Sequence, residues 1–367
     1  MTTEAAVGNY DSPYLPEIPD ADSPALAGNS DSTSGPREGN ALIVASRPFA
    51  QEKLSRSAWE TFTTFTVLAV TLAGAATTLL PLGARVLFSL VAGLTVVRGF
   101  ILYHDALHGA MYRGNSLFAR FMRGVMWLYG LYVLAPPSVW RATHNYHHAN
   151  TAKLVGSHIG SYPTLTVEMY RRAKPWQKFM YRMVRNPITM ILGYLTVFLW
   201  GMCFGPFLRD TKRHWDAAPA VLAHVALSAA VIMNFGALAW LLTVVLPLAT
   251  ACAAGSYLFY AQHNFPGIMI QPRDKWSYTR AALESSSMMV TGPIMGWFTG
   301  QIGYHHVHHL NPGIPFYRLA EAMAAIPELQ NPHKTSLNPK DIWACLRLGV
   351  WDMRQKKMVT YAEADAR

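Results

Sequence analysis

Three short stretches of this sequence concentrate its histidines at spacings that could build a metal site. They are YHDALHGA at 103–110, WRATHNYHHANT at 140–151 and GYHHVHHLNP at 303–312. Residues at i, i+3 and i+4 of a helix project from one face. A buried imidazole needs a partner for each ring nitrogen, so we interpret these clusters as metal ligands. The eight candidates are His104, His108, His144, His147, His148, His305, His308 and His309.

The other histidines carry weaker patterns. His263, in FYAQHNFPG, is a ninth candidate ligand, and the alternative is a histidine at a solvated helix end. His306 is an additional member of the third cluster, outside its i, i+3, i+4 set. Four more histidines lack the spacing of a ligand set: His158, His214, His224 and His333.

A set of imidazoles without thiolates or carboxylates suits a borderline divalent metal such as iron, zinc or copper. Eight or more ligands exceed what one ion takes, so the pattern indicates a pair of ions. A zinc hydrolase would pair its ion with a carboxylate base, and no carboxylate motif accompanies these clusters. Iron would serve oxygen chemistry on a membrane-embedded substrate.

The elements that position these clusters are predicted to be membrane helices. Charged residues make up 14% of the 367 residues and hydrophobic residues 51%, whereas a typical soluble domain has roughly 25% charged residues. Several apolar runs approach the roughly 20 residues that cross a bilayer core, and a long one breaks around Gly236. Arg98, near the end of the second run, is expected to snorkel to the interface. The predicted spans lie near 61–80, 86–103, 217–235 and 238–260.

The histidines restrict the topology, because all ligands must lie on one side of the bilayer. The segments 119–137 and 187–207 are therefore predicted to lie in the membrane plane or to re-enter. Basic residues far outnumber acidic ones between 104 and 186, which indicates a cytoplasmic face. The predicted fold is an all-α integral membrane protein with about four transmembrane helices and a cytoplasmic helical cap that carries the histidine site.

Other features of the composition are consistent with one membrane domain at 48–367. Residues 1–47 are rich in Pro, Ser, Gly, Asn and Asp and predict a disordered tail without a cleaved signal peptide. The isolated cysteines Cys203, Cys252 and Cys345 indicate neither a disulfide framework nor a thiolate metal site. The basic residues that give the net charge of +10 lie beside the predicted membrane segments. A nucleic-acid-binding protein would carry them on a soluble scaffold with interleaved aromatic residues, so no nucleic-acid partner is expected.

The motifs HDALH, HNYHH and HHVHH resemble the three histidine boxes of the membrane fatty acid desaturase family. The likeness is closest to bacterial acyl-lipid desaturases, extends to YRMVRNP, FYAQHNFP and WFTGQIGYHHVHHLNPGIPFYRL, and covers roughly 60–360. Three positions depart from the family pattern. Ala106-Leu107 stands where close relatives often have Cys-Gly, Ser161 where an acidic residue is expected, and Gln301 where Asn is common. Each could alter regioselectivity or the hydrogen bonds around the ligands.

The resemblance implies that the eight box histidines ligate two iron ions and that His263 is an additional ligand. It implies an oxidoreductase that uses O2 to introduce a C=C double bond into a fatty acyl chain of a membrane lipid. Electrons must come from an external donor, since the sequence has no flavin or nicotinamide glycine motif and no HPGG. The basic face suits an acidic donor such as ferredoxin. We expect the protein in the bacterial inner membrane, with its active site facing the cytoplasm.

No catalytic residue beyond the metal ligands is predicted. Asn145, Asn264 and Gln301 are candidates to orient ligands or water, and each is equally explained as a turn or cap residue. Trp140 and Arg141 are either interfacial anchors or contacts to a lipid headgroup.

Two other functions are also compatible with histidine motifs of this kind. A diiron hydroxylase of a lipid or alkane would carry the same boxes and differ in its product, which gains one oxygen instead of losing two hydrogens. A non-enzymatic haem- or metal-binding membrane protein would need only two to four histidines.

Overall fold

The computed structural model describes residues 36–154 and 156–366, and within this part the protein is mostly helical. The helices of the first half are α1 (Gly39–Ser46), α2 (Leu54–Ala76), α3 (Leu82–His108), α4 (Leu117–Tyr132), α5 (Pro137–Asn150), α6 (Val167–Arg172), α7 (Pro175–Val184), α8 (Pro187–Ile191) and α9 (Gly205–Arg209). The later helices are α10 (Ala217–Trp240), α11 (Leu246–His263), α12 (Tyr278–Glu284), α13 (Pro293–Phe298), α14 (His305–Leu310), α15 (Leu319–Ala325), α16 (Pro339–Leu346) and α17 (Tyr361–Asp365).

Shorter elements connect these helices. Two segments are π-helical, Tyr194–Phe204 and Leu241–Val245. Single 3-10 turns cover Arg47–Ala50, Arg273–Lys275, Phe316–Arg318 and Pro327–Leu329. The strands are β1 (Met288–Val290), β2 (Lys334–Ser336), β3 (Val350–Asp352) and β4 (Lys357–Val359). β1 pairs with β2 in parallel, with Met288 opposite Lys334, and β3 pairs with β4 in antiparallel orientation, with Val350 opposite Val359.

Helices α2 and α3 form a hairpin whose polarity is the reverse of a soluble protein's. Phe62 on α2 and Leu87 on α3 are more than 60% exposed, while Thr64 and Ser89 are fully buried. Large exposed apolar surfaces on a helix mark contact with lipid or with another protein. α2 begins before the predicted span of 61–80 and ends at Ala76, since the backbone of the following Thr77 is extended with ψ 136°. α3 contains the predicted span of 86–103 and continues through both histidines of the first cluster.

The prediction that Arg98 snorkels to an interface is wrong. Its side chain is buried between α2 and α3 and pairs with the carboxylate of Glu60. Its Nε donates to Thr64 Oγ1 at 3.0 Å, and its guanidinium lies 4.2 Å from the ring centre of Trp297. The buried carboxylate of Glu60 on the neighbouring helix is the partner of this arginine, which thereby ties α2, α3 and α13 together.

Helices α10 and α11, with the π-helical turn between them, run continuously from Ala217 to His263 over 47 residues. Gly236 interrupts the helical backbone with φ 84° and ψ 169°, which glycine tolerates because it has no Cβ. The break predicted around Gly236 is therefore confirmed. In the described part of the chain, two helices, Leu82–His108 and Ala217–His263, are long and apolar enough to cross a membrane. The predicted number of four spans is not confirmed by this count.

The two segments predicted to lie in the membrane plane have different structures. The segment 119–137 is mostly α4, an amphipathic helix with exposed Phe121 and Leu128. The segment 187–207 consists of α8, the π-helical segment Tyr194–Phe204 and the start of α9. Their position relative to a bilayer stays a prediction.

Most of the predicted tail of 1–47 lies outside the described residues. Its last part differs from the prediction, since Gly39–Ser46 forms α1 with Leu42 fully buried against the core. The hydrophobic run ALIV at 41–44 explains this helix, because it supplies an apolar side chain that packs on the cap.

Candidate metal centre

Nine histidine side chains from four helices meet at one end of the α3 and α11 pair. α3 supplies His104 and His108 from its last turns, α11 ends at His263, and the others come from α5 and α14. α5 starts at Pro137, a residue suited to the first helical turn, and α14 has only six residues. The predicted i, i+3, i+4 arrangement is therefore present in both short helices.

The histidines form two groups, and within each group the candidate ligand atoms lie within 4.8 Å of one another. The first group contains His104, His108, His144, His148 and His308, and the second contains His147, His263, His305 and His309. All nine predicted ligands are thus brought together, and α5 and α14 each contribute to both groups. That they bind metal stays a prediction.

The Nε2 atoms point at one another rather than at separate partners. In the first group His144 Nε2 lies 3.1 Å from the Nε2 atoms of both His104 and His148. In the second group His305 Nε2 lies 2.8 Å from His263 Nε2 and 3.1 Å from His309 Nε2. Two nitrogens bound at right angles to one ion at about 2.1 Å would be about 3 Å apart. The separations fit ligands that share an ion.

The electrostatics of the groups also suits a metal. Burial, reinforced by the neighbouring imidazoles, lowers the pKa of His144, His148 and His309 well below the ordinary value of histidine. The neutral ring is the form that ligates a metal. His108 Nε2 is buried without a hydrogen-bond partner among the described residues, and such an atom costs stability unless a ligand takes its lone pair. The donor set therefore fits two cations.

Three of the second ring nitrogens have protein partners that orient the imidazoles. Asp105 Oδ1 lies 2.9 Å from His104 Nδ1, and its Oδ2 accepts from the Phe316 N–H at 2.7 Å. His263 Nδ1 contacts the Ser285 carbonyl at 3.1 Å, and Thr151 Oγ1 lies 3.4 Å from His309 Nδ1. Such partners fix ring orientation and ligand basicity. None of these three partners is predicted by the sequence pattern, although Asp105 stands inside the first histidine motif.

The histidines not predicted as ligands lie outside both groups. His306 is buried on α14, and its Nε2 contacts the Leu329 carbonyl at 3.0 Å, so it packs the helix against the following segment. His224 contacts the Tyr194 hydroxyl at 2.5 Å, and His214 Nδ1 contacts Ser138 Oγ at 3.2 Å.

The polar residues proposed as orienting groups have other places in the structure. Asn145 and Arg141 are exposed on α5. Asn264 accepts from Arg185 at 2.6 Å and donates to the Cys345 carbonyl at 2.7 Å, so it joins the end of α11 to the C-terminal segment. Gln301 has a positive φ of 54° in the turn before α14.

Trp140 is a packing residue of the centre rather than an interfacial anchor. Its side chain is 6% exposed, and its ring stacks on His144 with centroids 4.1 Å apart. The same ring meets His104 edge to face at 5.2 Å. It thereby holds two members of the first group in place.

An apolar cavity of about 390 Å³ leads from the centre into the helices, and His104, His144 and His305 line it. Side chains at helical spacing form its walls: Val97, Ile101 and His104 on α3, and Leu248, Cys252, Gly255, Phe259 and Gln262 on α11. The π-helical segment adds Phe198 and Met202. Ser161, one of the departures from the family pattern, also lines it. The cavity has the shape and lining that suit a long apolar ligand.

Two groups of buried histidines at the end of an apolar cavity are an arrangement suited to metal-dependent chemistry on an apolar substrate. The chain is also similar to known proteins. The family model described as fatty acid desaturase matches residues 80–340. A fatty acid desaturase from Bacillus subtilis is 33% identical over 287 residues, which cover 76% of this chain and 80% of the relative.

More distant relatives carry names that differ in substrate detail. An sn-1 oleoyl-lipid 12-desaturase from Picosynechococcus is 24% identical over 65% of this chain and 67% of its own. A chloroplastic omega-6 fatty acid desaturase from Arabidopsis thaliana is 24% identical over 64% of this chain and 52% of its own. The chain belongs to the fatty acid desaturase family and is an oxidoreductase of fatty acyl lipids associated with membranes.

Proposed function

We propose that this protein uses O2 to introduce a C=C double bond into an acyl chain carried by a membrane lipid, at a non-haem diiron centre. The observation that carries the proposal is the cavity, which is apolar along its length and ends at histidines of both groups. A metal centre at these histidines would lie next to methylene groups of the acyl chain, which have no polar group that could position them. The first five-histidine group and the second four-histidine group would each hold one iron.

The reaction removes two hydrogens from neighbouring methylenes and reduces O2 to two waters with two electrons and two protons from outside. Bound iron would supply the oxygen-dependent oxidising chemistry. The chain's own residues supply position: the walls of α3 and α11 restrict the acyl chain so that one pair of carbons lies next to the histidines. Asp105, Thr151 and the Ser285 carbonyl hold the imidazoles in orientation, and Trp140 covers the first group.

We also propose four membrane spans, made by α2, α3 and the two parts of the helix Ala217–His263 on either side of Gly236. A straight helix of 47 residues would be about 70 Å long, more than twice the roughly 30 Å of a bilayer core. Two spans fit this length, and the break at Gly236 supports them. The even number keeps all nine histidines on one side, which the basic segment 104–186 assigns to the cytoplasm of a bacterial inner membrane. Residues 48–367 would form this domain.

The electron donor would be an acidic protein such as ferredoxin. Arg171, Arg172 and Lys174 are exposed on and beside α6, and this cationic group supports docking of an acidic partner.

The function is tested by the fatty acid profile of a desaturase-deficient host that expresses the chain. Wild type is expected to yield a new unsaturated acid, with the double bond located by derivatisation and mass spectrometry. His308→Ala is expected to yield none. His306→Gln is the matched control on the same turn of α14, because His306 contacts a backbone carbonyl instead of the centre. A hydroxylated product from wild type would identify the reaction as hydroxylation instead of desaturation. An unsaturated product from His308→Ala would contradict the proposed metal site.

A further inference from the structure

Gly255 lies in the middle of the side of α11 that faces the cavity. Leu248, Gly255 and Gln262 all line the cavity and are separated by seven residues each. Seven residues are close to two helical turns, so these three positions follow one line along the helix. The neighbouring wall residues Leu258 and Phe259 lie on either side of that line. A side chain at 255 would therefore point into the cavity.

The packing of α11 does not require a glycine at this position. Among the described residues, a Cβ built on Gly255 would meet no atom within 4 Å, whereas at Gly93 and Gly193 it would meet neighbouring atoms at 2.6 Å. Glycine in a helix interior costs about 0.5–1 kcal/mol relative to alanine, and here neither close helix packing nor a positive φ compensates that cost. What glycine provides at this position, and a larger residue would not, is open volume in the cavity beside the helix.

The level of Gly255 divides the cavity into two parts. Gly255 precedes His263 by eight residues, about 12 Å along the helix, and follows Leu248 by seven residues, about 10 Å. The part beyond it is lined by apolar residues, among them Val96, Val97 and Leu248. A methyl end suits this apolar end, since it has no polar group to satisfy.

We propose that Gly255 is a specificity-determining residue that lets the methyl end of the acyl chain pass from the metal centre to the apolar end of the cavity. This inference rests on the proposed function, because it takes the cavity as the acyl site. A side chain at 255 removes the space for the last methylenes of a long chain. Shorter chains, which end before this level, lose little.

The test compares the acyl chain-length preference of variants at Gly255 on α11 with that of a variant at Gly124 on α4. Wild type, Gly255→Ala, Gly255→Leu and Gly124→Leu are expressed in a desaturase-deficient host supplied with myristic, palmitic and stearic acids. Gly124 is the matched control, because it is a glycine inside α4 with no atom within 4 Å of an added Cβ and no part in the cavity wall. In parallel, the purified proteins are tested for binding of radiolabelled phosphatidylcholine with myristoyl or stearoyl chains.

Gly255→Leu is expected to lower the ratio of stearic to myristic products, and of stearoyl to myristoyl lipid bound, by about tenfold or more. Gly255→Ala should shift both ratios in the same direction by less, and Gly124→Leu should match wild type. Unchanged ratios in Gly255→Leu would overturn the proposal, and if that variant does not fold, unchanged ratios in Gly255→Ala would do so. Hydroxylated products from wild type would contradict the proposed desaturation but not the role of Gly255, because the chain-length ratios can be measured on hydroxylated acids equally well.

Discussion

At the scale of single residues, the centre depends on small differences between histidines that look alike in the sequence. His306 and His308 are both buried on one short helix, yet only His308 faces the other imidazoles. Asp105 adds a carboxylate that contacts one imidazole and one backbone N–H. Its two oxygens link the end of α3 to the segment that follows α14, so it sets both the orientation of His104 and the place where the third motif docks.

Replacing Asp105 by asparagine should weaken iron binding by about 10- to 100-fold, because the partners of ligating histidines contribute on this scale. The measurement is iron retained per chain during equilibrium dialysis against a chelator series. Asp365→Asn is the matched control, since Asp365 pairs with Arg182 on the surface. Equal iron affinity in Asp105→Asn and wild type would show that this carboxylate only packs the helix.

The histidine set could be predicted from spacing because i, i+3, i+4 patterns report one helical face directly. The partners of those histidines could not, because they depend on contacts between distant segments: Ser285 meets His263 and Thr151 meets His309. Trp140 was ambiguous for the same reason, since an aromatic residue beside a membrane helix also suits an interface. Only the packing of α3 on α5 decides its place.

At the scale of elements, buried polar contacts hold together helices whose outer faces are apolar. The hydrophobic runs predicted α3 and the break at Gly236, because length and composition suffice for such features. The ends of α2, the π-helical segment Tyr194–Phe204 and the place of Arg98 depend on tertiary packing and were not predictable. Glu60 illustrates this, as its carboxylate meets Arg98 from a helix that lies nearly forty residues earlier.

Glu60→Gln should destabilise the protein by about 3–5 kcal/mol, because it leaves the Arg98 guanidinium buried without a carboxylate. The apparent melting temperature in detergent is the measurement, and a drop of several degrees is expected. Glu168→Gln removes an exposed i, i+4 pair with Arg172 and should change stability by only about 0.3–0.5 kcal/mol. Similar melting temperatures for the two variants would contradict this role of Glu60.

Removal of iron should loosen α14 and α5 more than α3. A helix of six residues has little intrinsic stability, and metal binding contributes directly to the stability of the segments that supply the ligands. Hydrogen exchange of α14 peptides should therefore speed up after chelation, while peptides from the middle of α3 serve as the internal control. Equal protection with and without iron would mean that packing alone holds α14.

At the scale of the whole molecule, exposed cations on and beside α6 accompany helices whose exposed faces carry large apolar side chains. The residues 171, 172 and 174 follow the segment that contributes Ser161 to the cavity wall. Docking of an acidic donor near this surface would place it on the cap rather than on the bilayer. Charge acts on the rate of such encounters more than on their final affinity.

Neutralising Arg171, Arg172 and Lys174 to glutamine should weaken the dependence of the reduction rate by ferredoxin on salt. Salt screens the charges that steer the encounter. With fewer such charges, the reduction rate should depend less on ionic strength. The measurement is stopped-flow reduction at several ionic strengths. Lys334 and Lys340, exposed on other elements, provide the control variant, and an unchanged slope in the triple variant would remove this surface as the docking site.

The participation of α14 in both histidine groups also bears on how the protein is made. Synthesis proceeds from the N-terminus at about 5–20 residues per second, so α3, α5 and α11 leave the ribosome well before residues 305–309. Until then the first group lacks His308, and the second lacks His305 and His309. Most of the cavity wall is therefore already present when the last ligands arrive. Under the proposed function, a partly made chain would hold neither iron firmly, and the oxidising centre would be completed only when the cavity wall can already surround it.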